Sequence, residues 1–285
     1  MTQNNIMEKI TELYPSFTKS SKKVADYILD NSTEVQFMSI TSLAEECKVA
    51  EATIFRFCKN LGLDGYNDFK LALAKSSVSN NVNEYATYGK IQKDDSIMEL
   101  SQKLSAVNIT AIKETVELID ENSIEKAVDL FTKARNVYCF GQGGSLILAM
   151  EAWSRFATAT PKFHCIEDSH LQAITASLCG NEDVILFFSY SGATKEIYDV
   201  LKPARENGAK IIVITHFSKS PASSFADIVL LCGSKETPLQ GGAVPSRISM
   251  LFIIDVLFNH YCRINTQATI NNTNTTTKAL SNKLL

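Results

Sequence analysis

The sequence predicts an all-α N-terminal domain followed by an α/β domain with a doubly wound, five-stranded parallel sheet. Residues 1–76 carry apolar side chains at helical spacing and contain no strand-like run. From residue 136 onward, short apolar runs alternate with amphipathic segments, which is typical of a parallel sheet covered by helices on both faces. A chain of 285 residues with 45% hydrophobic residues can form two domains with separate cores.

The N-terminal domain begins with two amphipathic helices and continues with a short helix pair, SITSLAEECKVAEATIFRFCKNLGL. In the pair, Ser39 or Thr41 can cap a first helix, residues 48–51 form a tight connection, and a second helix runs to Leu61 and stops at Gly62. Apolar side chains at helical spacing pack these helices together. They are Ile6, Ile10 and Leu13 in the first helix, Val24, Ala25, Ile28 and Leu29 in the second, and Leu43, Ala44, Val49, Ile54, Phe57 and Leu61 in the pair.

Polar segments mark the expected domain boundaries. Residues 77–93 are predicted to be a linker, because SVSNNVNEYATYGKIQ is polar and has no clear period. Residues 94–133 return to helical spacing, and we assign them as leading helices to a second domain that spans residues 94–264. Residues 265–285 are rich in Asn and Thr and are predicted to form a disordered tail.

The second domain is predicted to alternate five strands with helices. The strands are VYCF, KFHCI, DVILFF, KIIVIT and DIVLL; the helix after the fourth strand is short and the helix after the fifth is long. Right-handed crossovers join the parallel strands. In open sheets of this kind, ligands bind beyond the carboxyl ends of the strands, so the loops at these ends are the first places to search for a site.

Two loops rich in glycine and hydroxyl groups follow the first and the third strand. FGQGGS, residues 140–145, and SYSGAT, residues 189–194, each end a strand and open a helix. Glycine lets the backbone approach a ligand closely, and the unpaired amides and positive dipole end of the next helix suit a phosphate. The two loops therefore predict a phosphate cradle that needs no lysine. Its hydroxyl donors are Ser145, Ser189, Ser191 and Thr194.

Two other interpretations of these loops stay open. Ser and Thr at the start of a helix are commonly caps. Gly141-x-Gly143 begins a dinucleotide-binding fingerprint, and Glu167 or Asp168 could bind a ribose. Leu146 occupies the third glycine position of that fingerprint, however, and the fingerprint does not account for the second loop.

The motifs of the second domain resemble those of a known family. GQGGS, SYSGATKE, ARENGAKIIVIT and ADIVL are similar to the SIS (sugar isomerase) phosphosugar-binding domain over about residues 125–262. The resemblance implies that the hydroxyls and amides of the two loops bind a sugar phosphate and that Tyr190 shapes the second loop. Glu196 matches the Lys-Glu of the family motif, or simply favours a helix N-terminus. The implied ligand-binding residues are Gly143, Gly144, Ser145, Ser189, Tyr190, Ser191, Gly192, Thr194 and Glu196.

The N-terminal stretch SLAEECKVAEATIFRFCKNLGLDGYNDFK resembles the helix-turn-helix domain of the RpiR/MurR family of bacterial transcriptional regulators. The family usually has Ser before the E-A-T segment, where this chain has Ala50, and the missing hydroxyl would weaken DNA affinity. The two resemblances together imply a transcriptional regulator whose binding to an operator is controlled by a phosphorylated sugar or amino sugar. The helices over residues 94–133 are expected to carry the effect from one domain to the other.

The second helix of the N-terminal pair is expected to enter the major groove of double-stranded DNA with its first residues. Thr53, Arg56 and Lys59 are spaced by three and share one face of this helix. Arg56 suits a guanine edge or a phosphate and Lys59 a phosphate, although an ordinary solvated face would show the same spacing. The DNA-binding candidates are Lys48, Glu51, Ala52, Thr53, Arg56 and Lys59, and Lys70 and Lys75 could add backbone contacts.

Charge is unevenly distributed over the N-terminal domain. Residues 1–78 hold nine basic and ten acidic side chains, which by itself argues against DNA binding, whereas residues 48–75 hold five basic and three acidic ones. A single domain with so small a local excess would bind DNA weakly, and a dimer doubles the contacts. We therefore expect a homo-oligomer, either a dimer or a tetramer, on a palindromic operator.

Composition argues against several other classes. The formal net charge of −3 indicates neither a nucleic-acid arm nor a membrane surface. The seven cysteines include no C-x-x-C pair, so we expect buried free thiols in a reducing cytosol and neither a metal site nor a cofactor. The N-terminus lacks a signal pattern and the apolar runs are too short to span a membrane. The sequence therefore predicts a soluble cytoplasmic protein with no membrane partner.

The alternative function is a sugar-phosphate isomerase or a related SIS-domain enzyme. Isomerisation needs a base near a carbon-bound proton and usually an acid for ring opening, yet no pair of titratable residues has a spacing typical of such chemistry. The segment GSKETPLQGGAVPSR lacks the Glu/His constellation of the isomerases. We expect it to close over the sugar with Glu236, Ser246 and Arg247 near its hydroxyls, although an ordinary solvated loop would equally account for these three residues. We therefore predict no enzymatic activity. The titratable candidates are His170, Glu167, Glu196, His216 and Glu236, and His164 is expected in the core.

Overall fold

The computed structural model describes residues 5–78, 91–234 and 244–281. The described chain forms two units, of which the first holds residues 5–78 and 91–110 and the second holds residues 111–234 and 244–281.

Six α-helices form within residues 5–78. The helices are α1 (Ile6–Leu13), α2 (Lys19–Asp30), α3 (Ser32–Val35), α4 (Ile40–Glu46), α5 (Glu51–Asn60) and α6 (Tyr66–Val78). They share one apolar core, in which the rings of Phe17 and Phe57 lie 5.2 Å apart and those of Phe57 and Phe69 lie 6.3 Å apart. The helical N-terminal domain predicted from the sequence is confirmed.

The short helix pair α4–α5 begins and ends at local signals. The Ser39 hydroxyl caps α4 by accepting the Ser42 amide at 3.0 Å, so Ser39 rather than Thr41 is the cap. Thr41 instead donates to Glu51 at 2.5 Å, a bond that joins the two helices. Gly62 follows the C-terminal end of α5, as predicted.

The second unit contains a five-stranded parallel sheet, which confirms the predicted α/β fold. The strands are β1 (Asn136–Gly141), β2 (Phe163–Cys165), β3 (Asp183–Phe188), β4 (Lys210–Thr215) and β5 (Ile228–Leu231). Their order in the sheet is β2-β1-β3-β4-β5. The central strand β3 is buried along its whole length, as expected for a parallel strand covered on both faces.

Helices cover both faces of this sheet. The helices of this part of the chain are α7 (Ile97–Leu118), α8 (Glu121–Lys133), α9 (Gly144–Ala157), α10 (Ser169–Leu178), α11 (Glu196–Glu206), α12 (Val244–Ile264) and α13 (Thr266–Ser281). Leu186 and Phe188 of β3 pack with α8, α9 and α12, and the alternate residues Ile185 and Phe187 pack with α10 and α11. Among the described helices, none combines the length and the apolar character that a membrane span requires.

The C-terminal segment is ordered where composition predicts disorder. Residues 266–281 form α13, so the prediction of a disordered tail is wrong for them. The Asn272 side-chain amide donates to the Ala159 carbonyl at 2.8 Å, and the Thr276 hydroxyl donates to the Thr158 carbonyl at 3.3 Å. Polar side chains that indicate disorder in isolation thus find carbonyl partners at the C-terminal end of α9.

The predicted linker lies mostly outside the described residues, which include only 91–93 and the end of α6. The division between the two units falls within α7, between Thr110 and Ala111, whereas the sequence places the domain boundary at residue 94.

Candidate functional site

The sheet brings together the two loops that the sequence singles out. Strands β1 and β3 are neighbours, and Gly141 at the end of β1 is level with Phe188 at the end of β3. The loops that follow therefore leave adjacent strands at the same edge. This edge is the point where the strand order 2-1-3-4-5 reverses, which is where doubly wound sheets bind ligands.

The first loop positions the N-terminus of α9. Gly143 precedes the helix with φ +54° and ψ −124°, a conformation that favours glycine. Among the described residues no side chain caps α9, and none accepts from the amide of Gly143 or Gly144, whereas the Leu146 amide donates to the Gly143 carbonyl at 3.1 Å. Ser145 lies half-buried in the first turn, and its amide donates to the Gln142 carbonyl at 3.0 Å.

A buried glutamine holds the first loop in place, and the sequence pattern does not single it out. The Gln172 side-chain amide donates to the carbonyls of Ile166 at 2.6 Å and Gly141 at 3.2 Å, and its carbonyl accepts from the Gln142 side chain at 2.9 Å. Gln172 is fully buried. The available signal is its place four residues before Ala176 on the buried face of α10, where a glutamine needs polar partners.

The second loop is shaped by its own serines. The Ser189 hydroxyl oxygen accepts the Gly192 amide at 3.1 Å, and the Ser191 hydroxyl oxygen accepts the Ala193 amide at 3.3 Å. A hydroxyl that accepts in this way keeps its proton, which is free to be donated to a ligand. The two serines can therefore support the turn and bind an anion at the same time.

The helix-cap interpretation finds no support at either loop. Ser145 lies inside α9, and α11 begins at Glu196 after Lys195, whose side chain makes no capping bond. Thr194 contributes its backbone carbonyl, which accepts the Ile197 amide at 3.3 Å. Within the part of the chain that the structure describes, neither α9 nor α11 has a side-chain cap.

Tyr190 lies between Ser189 and Ser191 in the sequence, and its ring, its hydroxyl and its carbonyl each have a partner outside the loop. Its ring stacks on the His216 ring at 5.1 Å with the planes 11° apart, and its hydroxyl donates to the Ser234 carbonyl at 2.8 Å. The Tyr190 carbonyl accepts from the His216 amide and the Thr215 hydroxyl. Tyr190 therefore ties the second loop to the segments that follow β4 and β5.

The remaining titratable candidates have diverse surroundings. The Asp168 carboxylate caps α10 by accepting the Leu171 amide at 2.9 Å, so one of its oxygens has a structural role. His164 is half-buried and lies 3.3 Å from the Asn136 side-chain oxygen. Glu236 lies outside the described residues. Among the described residues no cluster of three metal-ligating side chains occurs.

All seven cysteines lie in the described ranges, and none forms a disulfide. Five of them are buried, whereas Cys165 and Cys262 are half-buried. Burial raises the pKa of the Cys165 thiol to about 11 and that of Cys58 to about 12, which disfavours the reactive thiolate.

The candidate DNA-binding helix α5 presents a mixed face. Arg56, Lys59 and Ala52 are exposed, and Lys48 is exposed in the connection before the helix, with a backbone φ of +52°. The Glu51 carboxylate already accepts from Thr41 and is only half-exposed, as is Thr53. The Lys59 ammonium lies 3.3 Å from the Asp64 carboxylate, a partner that DNA phosphates would have to displace.

Two further features of this domain are not indicated by the sequence pattern. Phe55, next to Arg56, is 46% exposed. Lys70 donates to the Met38 carbonyl at 3.1 Å, and burial lowers the pKa of its ammonium to about 8. Lys70 therefore has an intramolecular partner just before α4 instead of a fully solvated ammonium.

Comparison with known proteins identifies both domains. Residues 4–80 match the rpiR-family helix-turn-helix domain, and residues 130–260 match the SIS domain. An HTH-type transcriptional regulator of Haemophilus influenzae is 33% identical over 89% of this chain and 88% of its own length. The regulator HexR of Pseudomonas aeruginosa is 31% identical over 89% of this chain and 87% of its own length.

A solved structure extends the comparison to nearly the whole chain. The NanR protein of Vibrio vulnificus, complexed with ManNAc-6P, has a TM-score of 0.87 and 29% identity, and the match covers 98% of this chain and 99% of NanR. The fold and motifs thus define a two-domain regulator with a helix-turn-helix and a SIS domain. The chain belongs to the RpiR family of HTH-type transcriptional regulators, as the resemblance in its motifs predicts.

Proposed function

We propose that this regulator binds a phosphorylated sugar or amino sugar at the β1/β3 edge and that this effector controls its binding to operator DNA. The main support is the pairing of two glycine-hydroxyl loops at the reversal point of the sheet, each opening an uncapped helix among the described residues. NanR, which is similar over nearly the full chain, was solved with a sugar phosphate.

The phosphate is expected at the N-terminus of α9. Its oxygens would accept from the amides of Gly143 and Gly144 and from the hydroxyls of Ser189 and Ser191. The serine protons are available because both hydroxyl oxygens already accept backbone amides. Ser145 and Thr194 complete the set of donors, and Tyr190 with its stacked partner His216 forms a wall beside it.

A chain of hydrogen bonds offers a route from this site to α7. The Tyr190 hydroxyl donates to the Ser234 carbonyl at 2.8 Å, and the Ser234 amide donates to the Glu114 carboxylate at 2.9 Å. Ser234 has φ +73°, a strained conformation for a residue other than glycine. Since α7 continues from Glu114 toward Ile97, a shift of the second loop would reach this helix directly.

The effector acts by population shift in this scheme. A ligand changes an equilibrium only by its different affinity for two arrangements, so binding at the loops favours the arrangement of Tyr190, Ser234 and Glu114 that suits the occupied site. A change in the position of Glu114 would then be transmitted through α7 and would alter how the DNA-binding domains are positioned to contact the operator.

DNA binding is assigned to α5 in the major groove, with Arg56, Lys59 and Lys48 as the exposed cations. Two copies of the chain on a palindromic operator would double these few contacts. An apolar stripe on α10 supports self-association, because Leu171, Ile174 and Leu178 are 53%, 56% and 80% exposed. A regulator of transcription works where the chromosome lies, so we expect the chain to act in the cytoplasm.

Catalysis is not part of the proposal. The relatives are named as transcriptional regulators. Of the titratable candidates, His216 has its ring stacked on Tyr190 and a ring nitrogen hydrogen-bonded to the Cys232 carbonyl. A sugar-phosphate isomerase is the alternative. Turnover of hexose or amino-sugar phosphates by the purified protein, lost in His216→Ala, would support it.

The decisive experiment combines ligand binding with DNA binding. A panel of hexose and amino-sugar phosphates is screened for an increase in the Tm, and the hits are added to the protein bound to its own upstream DNA, followed by fluorescence anisotropy at several salt concentrations. We expect at least one sugar phosphate to raise the Tm and to change the DNA affinity. Salt-insensitive or absent DNA binding would contradict the proposal.

Replacing both loop serines tests the site itself. Ser189→Ala with Ser191→Ala removes two donors to a charged phosphate, so the affinity for the active sugar phosphate should fall roughly tenfold or more. The matched control is Ser177→Ala with Ser224→Ala, because both of these hydroxyls are exposed and donate only to local carbonyls. Equal affinities of the two double variants would place the ligand elsewhere.

A further inference from the structure

A guanidinium group lies against the first loop. Arg247 is in the first turn of α12, and a Cβ atom added to Gly144 would stand 3.0 Å from Nη2 of Arg247 and 3.5 Å from its Cζ. Any side chain at residue 144 would therefore press on this guanidinium. Gly144 begins α9, so the positive group faces the helix end where we place the phosphate.

One nitrogen of this half-buried side chain lacks the hydrogen-bond partner that a buried donor normally has. The Nε atom of Arg247 is buried and has no hydrogen-bond partner among the described residues. Within the same part of the chain, no salt bridge joins Arg247 to a carboxylate. A buried charged donor without a partner is costly, and natural proteins rarely retain one without a reason.

The surrounding helices make the position still less favourable for a cation. Arg247 lies near the N-termini of both α9 and α12, and each N-terminus carries a partial positive charge. Neither helix has an acidic residue in its first turn. Three sources of positive potential thus meet here, and neither first turn supplies a carboxylate to balance them, which favours the binding of an anion.

From this arrangement we infer that Arg247 is a ligand-binding residue that donates a charge-assisted hydrogen bond to the phosphate of the effector. The inference rests on the proposed function for the identity of the ligand, and it changes the chemistry of the site. The sequence predicts a cradle of neutral donors and places Arg247 near sugar hydroxyls. With Arg247 on the phosphate, the site instead selects a phosphomonoester dianion over the free sugar by direct charge.

The test compares two substitutions that each remove one guanidinium from the α9–α12 pair. Arg247→Gln removes the group near the N-terminus of α9. Arg155→Gln removes the group near its C-terminus, where Arg155 forms an exposed salt bridge with Asp255 at 3.1 Å. Both lower the charge by one unit. The Tm of each protein is measured alone, with inorganic phosphate, and with N-acetylmannosamine 6-phosphate and the hexose 6-phosphates.

Arg247→Gln is expected to lower the affinity for the bound phosphate roughly tenfold to hundredfold, while its Tm without ligand stays equal to that of the wild type or rises. The rise follows because the substitution removes a buried Nε donor that has no hydrogen-bond partner among the described residues. A residue with a purely structural role would give a lower unliganded Tm. Arg247→Lys should restore part of the affinity, since it returns the charge without the planar fork.

The outcomes separate this inference from the proposed function. If wild type and Arg247→Gln respond equally to the same phosphate compound, the inference about Arg247 is wrong and the proposed function stands. If inorganic phosphate raises the Tm through Arg247 but no sugar phosphate alters DNA binding, the proposed function is wrong and the anion site stands. A wild-type protein that no phosphate compound stabilises overturns both.

Discussion

Gly192 sets the shape of the second loop at the scale of a single residue. Its φ is +59°, and a Cβ atom added there would lie 2.2 Å from the Ser220 hydroxyl oxygen and 2.6 Å from the Ser220 Cβ. Ser220 is buried, so it has little freedom to move away. The Gly192 amide also donates to Ser189, which makes the conformation of this glycine a condition for the placement of the serine hydroxyl.

Gly192→Ala should therefore destabilise the protein and reduce ligand binding together. The left-handed conformation costs a non-glycine residue about 1–2 kcal/mol, and the overlap with Ser220 adds about 1–3 kcal/mol. Denaturant unfolding measures the loss. The matched control is Gly180→Ala, because a Cβ at Gly180 meets no atom within 4 Å in the described structure. If both variants unfold at the same denaturant concentration, the steric argument is wrong.

At the scale of single elements, helix α5 begins without a cap. Ala50 has the extended conformation of a capping residue, with φ −77° and ψ 151°, but within the described residues no side chain bonds to the first amides of this helix. The backbone is thus already arranged for a serine, the residue that the family usually has at this position.

Ala50→Ser should stabilise the DNA-binding domain by about 0.5–1 kcal/mol and tighten operator binding, because a hydroxyl would satisfy an amide of the recognition helix. Unfolding experiments and DNA anisotropy measure the two effects. Ala52→Ser is the control for the unfolding measurement, since Ala52 is exposed inside the first turn of α5 and cannot cap it. Equal stabilities of the two variants would show that the missing cap at residue 50 does not reduce the stability of the DNA-binding domain.

Some elements of this protein can be predicted from the local sequence pattern, and one cannot. Apolar periodicity predicts all five strands, and periodicity together with cap residues predicts the α4–α5 pair. Both signals depend only on residues that are close together in the sequence. The tail is different: Asn272 and Thr276 have a composition typical of disorder, and the carbonyls that hold α13 belong to Thr158 and Ala159, more than 100 residues earlier. Partners so distant leave no trace in the local sequence.

At the scale of the whole molecule, the hydrogen bonds from Tyr190 through Ser234 to Glu114 connect binding with response. Two ligands are coupled only if some element adopts two arrangements that both of them bias. Tyr190 is suited to such a role because its ring and its hydroxyl have separate partners, His216 and the Ser234 carbonyl.

Tyr190→Phe should separate binding from signalling. The phenylalanine ring keeps the stack on His216 while the bond to Ser234 is lost, so the effector should still raise the Tm but change the DNA affinity less than in the wild type. Couplings of this kind are typically about 1–3 kcal/mol, or roughly fivefold to 150-fold in affinity. Tyr198→Phe is the control, because Tyr198 lies half-exposed on α11. An unchanged effect of the ligand on DNA binding would exclude this route.

Sequence by itself determined the class of each domain, the succession of strands and helices along the chain, and the two loops that follow β1 and β3. These properties depend on periodicity, on glycine and on hydroxyl residues close together in the chain, and all of them act locally. The resemblance to regulators with a SIS domain rests on the same contiguous motifs, so the order of residues along the chain is sufficient to support it.

Only the tertiary structure decided which of these parts meet. It placed β1 beside β3 so that the loops share an edge, buried Gln172 under the first loop, and brought the Arg247 guanidinium to Gly144. It also joined Tyr190 to Glu114 through Ser234. The physical reason is that charge balance, burial and hydrogen bonding depend on distances in space, and residues far apart in sequence acquire those distances only when the sheet and its helices pack.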